Sequence, residues 1–571
     1  MTGAAVSDQI DWNPLDWDIN GNQIADGNRF LGGDFPDLYP HYDLVEDGSG
    51  GAILVFVREK PGGNDDDPAI YAQRVNSEGA LQWETSGAPV CTTDTKHLTP
   101  RVVPCAAGGA IVVWVSDEDW PLQETIRAQK LNSSGAPQWV LSGVELRSTE
   151  VHGAPQVASD GSSGAIVAWI EGEEDFAPWD PQETSDTLRV QYVADDGSVP
   201  WGEEGTRIAP EHESDYRISS FDMVSDGAGG ALLAWTDSEY EMTALRINSG
   251  GVVWKKEVVE FPWPLTDVCL CPDGAGGAYL GWAEQRNSLY YDIYAQKLDS
   301  SGNAVWGGGW PVPVCLASGD QIEPDITQDG SGGAILAWVD ERVYGDRDMF
   351  AGRVDASGIA QWTTYGVKLC SAEGLQEKRF ADIVPDGLGG AIVTWEDWRR
   401  GYEPDIYAQR IDSSGQYLYF ADGLEICTAA SFQLYPAVVP DGSGGAIIAW
   451  SDVREGAEKV YAQRMTNAGT LDGGWRNLGR GNALLQNYPN PFSTGTKIGF
   501  TTKVYGDVRL QVFDAAGRLV KTIMDGPAKP PVHMEEWDGR DERGRRVPPG
   551  TYFYRLEGQG WSSTKKMMVA R

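Results

Sequence analysis

Four times a tryptophan is followed two residues later by an acid and two after that by an arginine: Glu284 with Arg286, Asp340 with Arg342, Asp397 with Arg399, and Asp452 with Arg454. A further acid comes soon after, at Asp292, Asp348 and Asp405. Glycoside hydrolysis needs two carboxylates facing one bond, yet among 84 acids some such pair can always be picked, so its presence carries no weight. A single active site needs unique residues, and a set that repeats reads instead as ion pairing that pins a loop. Unique residues do occur beside it: Trp120, Phe176, Trp179, Tyr240, Tyr290, Tyr291, Tyr344, Trp398 and Tyr402 fall in long, charged connections. Aromatic faces beside carboxylates serve sugar binding and protein interfaces alike; rings half-buried against neighbouring loops are the plain alternative. The candidate ligand-binding set is Trp120, Phe176, Trp179, Tyr240, Tyr290, Tyr344, Trp398 and Tyr402, together with Asp340, Arg342, Asp397 and Arg399. There is no serine nucleophile elbow, HExxH or phosphate loop. No catalytic residue is assigned and no cofactor is implied.

Asp16, Asp18, Asn20 and Asn22 alternate around Gly21 as oxygen ligands of calcium would, but the twelfth position is Gly27, where an acid is expected. The seven cysteines form no CxxC pair and no Cys-His cluster suggesting zinc. Cys91, Cys315, Cys370 and Cys427 share one place in a repeat and are expected as small buried apolar residues. Cys91 and Cys105 are the best candidates for a disulfide, and Cys269 and Cys271 are expected on opposite sides of one strand. His97 and His152 align, each three residues before a proline. The aligned residue becomes Gln321, Glu377 and Gln433 later, which argues against a ring of metal ligands.

What positions these residues is a repeat. A Gly-Ala start, a short apolar run and an aromatic recur at Phe56, Trp114, Trp169, Trp235, Trp282, Trp338, Trp395 and Trp450, about 56 residues apart on average, near the length of a kelch blade. The unit 322–370 reads as four strands. Residues 323–328 lead into Asp329-Gly330-Ser331-Gly332-Gly333, whose glycines accept the positive φ of a tight hairpin. Residues 334–340 form the second strand, 349–354 alternate as a half-buried third, and a fourth runs through Trp362 to Cys370. The third strand recurs almost verbatim at 70–74, 293–297, 406–410 and 460–464. Eight such units fit a β-propeller, in which each blade covers its neighbour and closure leaves few open edges; a linear β-solenoid is the alternative. Residues near 10–35 are expected to complete the last blade. In such meanders the short glycine turns lie on one face, and the loops between second and third strands lie with the blade-to-blade connections on the other. Binding residues concentrate on loops of the second kind.

After Trp475 the pattern stops and the charge changes sign: residues 484–571 carry +5 and the rest −44, giving −39 overall. That balance argues against a nucleic-acid partner. No run approaches the roughly 18 apolar residues of a membrane span. The tail reads as about seven short strands with a turn at 514–517, a small immunoglobulin-like β-sandwich. Leu485-Gln486-Asn487-Tyr488-Pro489-Asn490-Pro491-Phe492, Val512-Phe513-Asp514 with Gly517-Arg518, His533 with Trp537-Asp538-Gly539, Gly550-Thr551-Tyr552-Phe553-Tyr554 and Lys565-Lys566-Met567 follow in order. The series resembles the type A C-terminal sorting domain of type IX secretion substrates and the immunoglobulin-like domain of the flagellar hook-capping protein. The resemblance implies sorting residues at Asn487, Pro489, Asn490, Pro491, Phe492, Gly517, Arg518, Lys565, Lys566 and Met567, and a partner in the outer-membrane secretion machinery. It also implies export through the periplasm to the exterior or cell surface. Residues 1–10 lack the basic start and apolar run of a signal peptide, whose removal is expected. The three-to-four turns resemble the Asp box of sialidases, but in 299–306 Gly follows Asp by three and Trp follows Gly by four, so the spacing departs from it.

The expectation is an all-β chain: an N-terminal segment 1–36 closing the last blade, an eight-bladed propeller of four-stranded blades over 37–475, a linker 476–483 and an immunoglobulin-like sandwich over 484–571. As function we expect a secreted or surface-displayed monomer that binds a glycan or protein, with a polysaccharide-active hydrolase or lyase as the alternative.

Overall fold

The computed structural model describes residues 22–24, 41–59, 68–84, 86–93, 96–118, 123–149, 151–172, 186–210, 217–238, 240–260, 263–286, 289–343, 346–370, 372, 375–377, 382–419, 422–454, 458–467, 483–484, 492, 495–501, 506–528, 532–558 and 560–570. They fall into two compact units, Met1–Asp472 and Gly473–Arg571.

In the first unit eight antiparallel sheets succeed one another among the described residues. The first runs Tyr42–Glu46, Ala52–Glu59, Pro68–Val75 and Ala88–Cys91. The eighth takes Gln433–Pro440, Ala446–Asp452 and Lys459–Met465, and its fourth place is filled by Asn22–Gln23, with Asn22 opposite Ala462. Each sheet shares a core with the next. Val55 and Ile70 pack with Val112 and Trp114 between the first and second, and Ile392 and Leu424 pack with Ile448 and Trp450 between the seventh and eighth. Leu54 and Phe56 meet Leu434 and Ile447 between the eighth and the first. A series of meanders whose end packs on its own beginning is a β-propeller.

The second strands lie between two neighbouring sheets and are buried on both faces, as Ala334 to Val339 show; hence their continuous apolar runs. The third strand obeys the same rule. Met349, Phe350 and Ala351 are buried in succession, so the half-buried alternation expected there gives way to burial on both sides. The fourth strand also departs from expectation. In the sixth sheet it is broken into Ala360–Gln361 and Val367–Lys368, both paired with Asp346–Val354. Gly366, at φ +78°, rests on the Trp338 ring, where an added Cβ would come within 2.4 Å. Between the two pieces Trp362 leans onto the next sheet, donating its indole N–H to the Ser413 carbonyl at 3.2 Å. Trp83, Trp139 and Trp254 staple their neighbours in the same way, through Ser133, Asp195 and Ser300.

On the face of the short turns, Asp441 accepts from the amides of Ser443 and Gly445 at 2.8 Å and pairs with Arg464. Arg464 also donates to the Ser77 carbonyl of the first sheet, tying the ends of the ring. Burial works to raise the Asp441 carboxyl; these donors outweigh it and hold the group below its ordinary value. The first strands touch one another around the inside of the ring: Asp43 accepts from Val102 N–H, Asp222 from Leu270, Asp325 from Ile383 and Asp382 from Val438. Burial pushes Asp222 up to about 6, with the charge of Asp325 adding to it.

All seven cysteines are buried free thiols. Cys91 and Cys105, the expected pair, stand at opposite ends of the ten-residue strand Lys96–Cys105, which spans roughly 30 Å, far beyond a disulfide's reach. Cys269 and Cys271 enter one core between the fifth and sixth sheets instead of facing opposite sides, because residues two apart on a strand share a face.

The second unit is a β-sandwich. One sheet holds Ala483–Leu484, Thr496–Thr501 and Val532–Trp537; the other holds Leu519–Ala528, Gly506–Asp514, Gly550–Gly558 and Trp561–Val569. Phe500, Leu510, Val512, Tyr554 and Met567 fill the space between them. Among the described residues no helix is long and apolar enough to cross a membrane.

Candidate functional site

Beneath the face of the long loops one assembly recurs. In the seventh sheet Trp395 Nε1 donates to Asp397 Oδ2 at 2.9 Å, and Arg399 Nε donates to Oδ1 at 2.7 Å. The guanidinium lies 3.9 Å from the Tyr407 ring centroid, a cation–π contact. One of its terminal nitrogens sits 3.2 Å from Cys370 Sγ of the preceding sheet. Asp340 with Arg342 and Cys315, and Asp452 with Arg454 and Cys427, repeat the arrangement. The carboxylates of Asp340 and Asp397 are 0 % exposed. These groups pin the loops from below, and the arginine also clamps the neighbouring sheet through cysteines expected to be merely apolar. Burial pushes the thiols of Cys315, Cys370 and Cys427 up to about 12, so they stay protonated.

The second sheet builds the same box from other residues. Ser116 replaces the acid and accepts from Trp114 Nε1 at 2.9 Å. Buried His97 stands where the arginine would be: Nδ1 lies 2.9 Å from Ser116 Oγ, and Nε2 lies 3.4 Å from Cys91 Sγ and 3.1 Å from Thr93 Oγ1. Its place opposite the second strand is held elsewhere by Gln321, Gln376 and Gln433, so the equivalent in the seventh sheet is Gln376 and not the expected Glu377.

Above the pins, the loops between second and third strands present Tyr240, Leu289, Tyr290 and Tyr402 to solvent on the fourth, fifth and seventh sheets, and Val343 is exposed at the end of the sixth sheet's second strand. Trp263, Leu316, Leu375 and Phe432 are exposed in the connections beside them. Tyr402 is 91 % exposed. Bonds between sheets hold these loops: Tyr291 N–H donates to Asp320 Oδ1 at 2.9 Å and Gln321 N–H to the Tyr291 carbonyl at 2.8 Å, while Ser431 N–H donates to Glu403 Oε2 at 3.2 Å. Burial raises the Tyr291 phenol, with Asp267, Asp320 and Tyr240 adding to the effect; these groups share one neighbourhood. Trp398 is half-buried, its amide donating to the Leu375 carbonyl. Large apolar side chains are exposed elsewhere too: Val253 on a fourth strand, and Trp310 and Leu418 in segments leading to one.

Each of three loops closes on a second carboxyl opposite the pinned one: Asp292 faces Glu284, Asp348 faces Asp340, and Asp405 faces Asp397. Burial pushes Asp292 and Asp405 up to about 6 and raises Asp348 against the pull of Lys368.

Of the sequence candidates, Tyr240, Tyr290 and Tyr402 therefore lie on one exposed face, Asp340, Arg342, Asp397 and Arg399 lie under it, and Trp398 lies partly within it. Trp120, Phe176, Trp179 and Tyr344 lie outside the described residues, as do Asp16, Asp18 and Asn20, whereas Asn22 belongs to the strand closing the eighth sheet. Among the described residues no group of three His, Cys, Asp or Glu is placed to hold a metal ion. The sequence does not single out Trp263, Leu289 or Val343. Their one signal is a large apolar side chain in a connection, or for Val343 at a strand end, that offers it no core.

In the second unit Phe492 is buried edge-on to Trp537, ring centroids 5.6 Å apart, and its amide donates to the Met568 carbonyl at 3.0 Å. Gly517, at φ +78°, turns the hairpin in which Asp514 accepts from Arg518 N–H and pairs with its guanidinium. Residues 489–560 match the FlgD Ig-like domain family. The C-terminal region carries a FlgD Ig-like domain. Within the FlgD Ig-like domain and its last strand, Lys565 is half-buried, Lys566 exposed and Met567 buried in the core. Asn487, Pro489, Asn490 and Pro491 lie outside the described residues. No curated protein matches the chain. Among solved structures it resembles the BP39L lectin of Burkholderia pseudomallei (10 % identity, TM-score 0.38, 66 % of this chain and 98 % of the lectin). It also resembles the α-L-arabinanase of Penicillium chrysogenum (9 %, 0.36, 79 % and 98 %) and the β-propeller domain of the Trilobed protease of Pyrococcus furiosus (11 %, 0.35, 65 % and 92 %). What those proteins bind or cleave is a property of theirs.

Proposed function

We propose that this chain is a secreted or cell-surface binding module: an eight-bladed ring presents the face of its long loops to a glycan or protein, and the FlgD Ig-like domain serves as the export address. The exposed arc of Tyr240, Tyr290 and Tyr402 above pinned loops carries this reading. Rings on a bed already tied to neighbouring sheets offer large contact area at little ordering cost. The charge contrast, +5 on residues 484–571 against −44 elsewhere, supports an address joined to a cargo.

A polysaccharide-active enzyme is the second reading, favoured by opposed carboxyls such as Asp397 and Asp405. Glycosidases divide general acid from nucleophile by pushing apart the pKa values of two such groups. Recurrence in three sheets and the 3 % exposure of Asp405 weigh against it. An array of polysaccharides and surface proteins, read for binding and for release of reducing or unsaturated sugar ends, separates the two. Binding without turnover that is lost in Tyr290→Ala/Tyr402→Ala supports the module. Turnover abolished by Asp405→Asn establishes the enzyme, and binding indifferent to the double substitution overturns the face. For export, a chain lacking residues 484–571 should stay within the cell envelope of its host; continued surface display refutes the address.

A further inference from the structure

We propose that the loop face carries a proton-operated clasp, in which the opposed carboxyls Glu284 and Asp292, Asp340 and Asp348, and Asp397 and Asp405 tighten the overlying loops at mildly acid pH and loosen them when both members are charged. The clasp stands on its own geometry; only its consequence for affinity rests on the binding reading.

In each pair the two residues are directly opposite in strand register, where like charges destabilise a sheet. The first member is committed as an acceptor: Glu284, Asp340 and Asp397 each take a tryptophan indole N–H and an arginine. The second member is poorly served. Asp292 faces Glu284 and Asp320, both acids, across from the Cys315 thiol. Asp348 meets Lys368 at 2.7 Å, with Asp340, Asp346 and Arg342 nearby, and its Oδ1 is buried without a hydrogen-bond donor among the described residues. Asp405 has Arg400 Nε 3.3 Å from its Oδ2, an ion pair outside hydrogen-bond geometry, with Arg399, Glu425, Asp397 and the Cys427 thiol around it. The three residues are 7, 3 and 3 % exposed. A buried carboxylate oxygen lacking a donor keeps its desolvation penalty. Protonation removes that penalty and supplies the missing donor toward the opposed carboxylate. Burial, which places Asp292 and Asp405 at about 6, puts the change between neutral and mildly acid pH. The loops that start and finish on these pairs carry Tyr290, Val343 and Tyr402, so their order is the order of the proposed binding face.

The test is amide hydrogen exchange on the full chain without ligand, from pH 5.0 to 7.5 and corrected for intrinsic exchange. Residues 285–286, 289–291, 341–343, 346–347 and 398–404 should gain about tenfold protection at pH 5.0, while the turns at 329–333 and 386–390 stay constant. In Asp292→Asn/Asp348→Asn/Asp405→Asn the dependence should vanish. Loops that exchange alike at both pH values, or a dependence that survives the triple substitution, overturn the clasp. Carboxyl-carbon NMR of the unsubstituted chain decides independently of whether that variant folds: midpoints near 6 at Asp292 and Asp405 support it, and midpoints near 4 overturn it. No arm involves a ligand, so failure of the binding reading leaves these results unchanged.

Discussion

Asp397→Ala should be among the most damaging single substitutions in the propeller. The side chain is 0 % exposed and accepts five hydrogen bonds: Trp395 Nε1 at 2.9 Å, Arg399 Nε at 2.7 Å, Arg399 N–H at 3.0 Å, a terminal guanidinium nitrogen, and weakly the Cys370 thiol at 4.0 Å. Its loss strands the indole N–H and leaves a guanidinium that is only 18 % exposed without its counter-ion. Breaking a buried pair from one side costs about 3–5 kcal/mol. Arg399 keeps the Asp422 carbonyl at 2.8 Å and the Tyr407 ring, which places the expected loss near the lower end, about 3 kcal/mol. Arg399→Ala should cost a similar amount and the double substitution clearly less than the sum, a coupling of about 2 kcal/mol. Asp541→Ala in the second unit, whose partner Arg545 is 69 % exposed, should cost far less than Asp397→Ala, because solvent screens the pair. Urea unfolding followed by tryptophan fluorescence measures all four. If Asp397→Ala falls within about 0.5 kcal/mol of the unsubstituted chain, or the coupling is zero, the pins do not hold the loop face.

Gly423→Ala would place a methyl within 2.5 Å of the Trp395 ring at φ +82°, for a loss of about 2–4 kcal/mol. Gly442→Ala, at φ +68° with nothing within 4 Å, should cost only about 1 kcal/mol in the same urea series. Thermal stability should rise on acidification from pH 7 to 5. Asp222, Asp292 and Asp405 stand at about 6 against 3.8, so the folded state holds extra protons below 6 and loses that stability as pH rises through it. Each group returns on the order of 1 kcal/mol over this interval, a few degrees of Tm together, and a Tm that falls contradicts the assignment. Asp441, held low, costs stability only below about pH 4. A thiol reagent should find no rapidly reacting cysteine in the native chain and seven after unfolding without reductant, matching seven buried free thiols; five would restore the Cys91–Cys105 bond.

The sheets were legible because their signals are local. A glycine turn, an apolar run and an aromatic recur every 56 residues or so, and each is read within one unit. What escaped depends on contacts between units. The Arg399 reach to Cys370 and the Trp362 staple to Ser413 join neighbouring sheets, so no periodicity within one unit shows them. The break in the fourth strand follows from Gly366 resting on Trp338, a tertiary contact. The Cys91–Cys105 expectation failed because nearness in sequence ignored the strand that carries the two thiols to opposite ends. In the candidate site the place of Tyr240, Tyr290 and Tyr402 in long loops was readable, but not whether their rings would be exposed or half-buried. The burial of Asp340 and Asp397 and the exposure of Leu289 and Val343 were not readable either, because exposure is fixed by what the neighbouring loop covers.

The loop face as the binding surface is tested most directly by covalent tyrosine and tryptophan labelling of the full chain, with and without the strongest ligand from the array. Protection of Tyr240, Trp263, Tyr290 and Tyr402, with Trp310, Tyr365 and Tyr417 on the fourth-strand side labelled as before, is the predicted result. Protection confined to Trp310, Tyr365 and Tyr417 would contradict it.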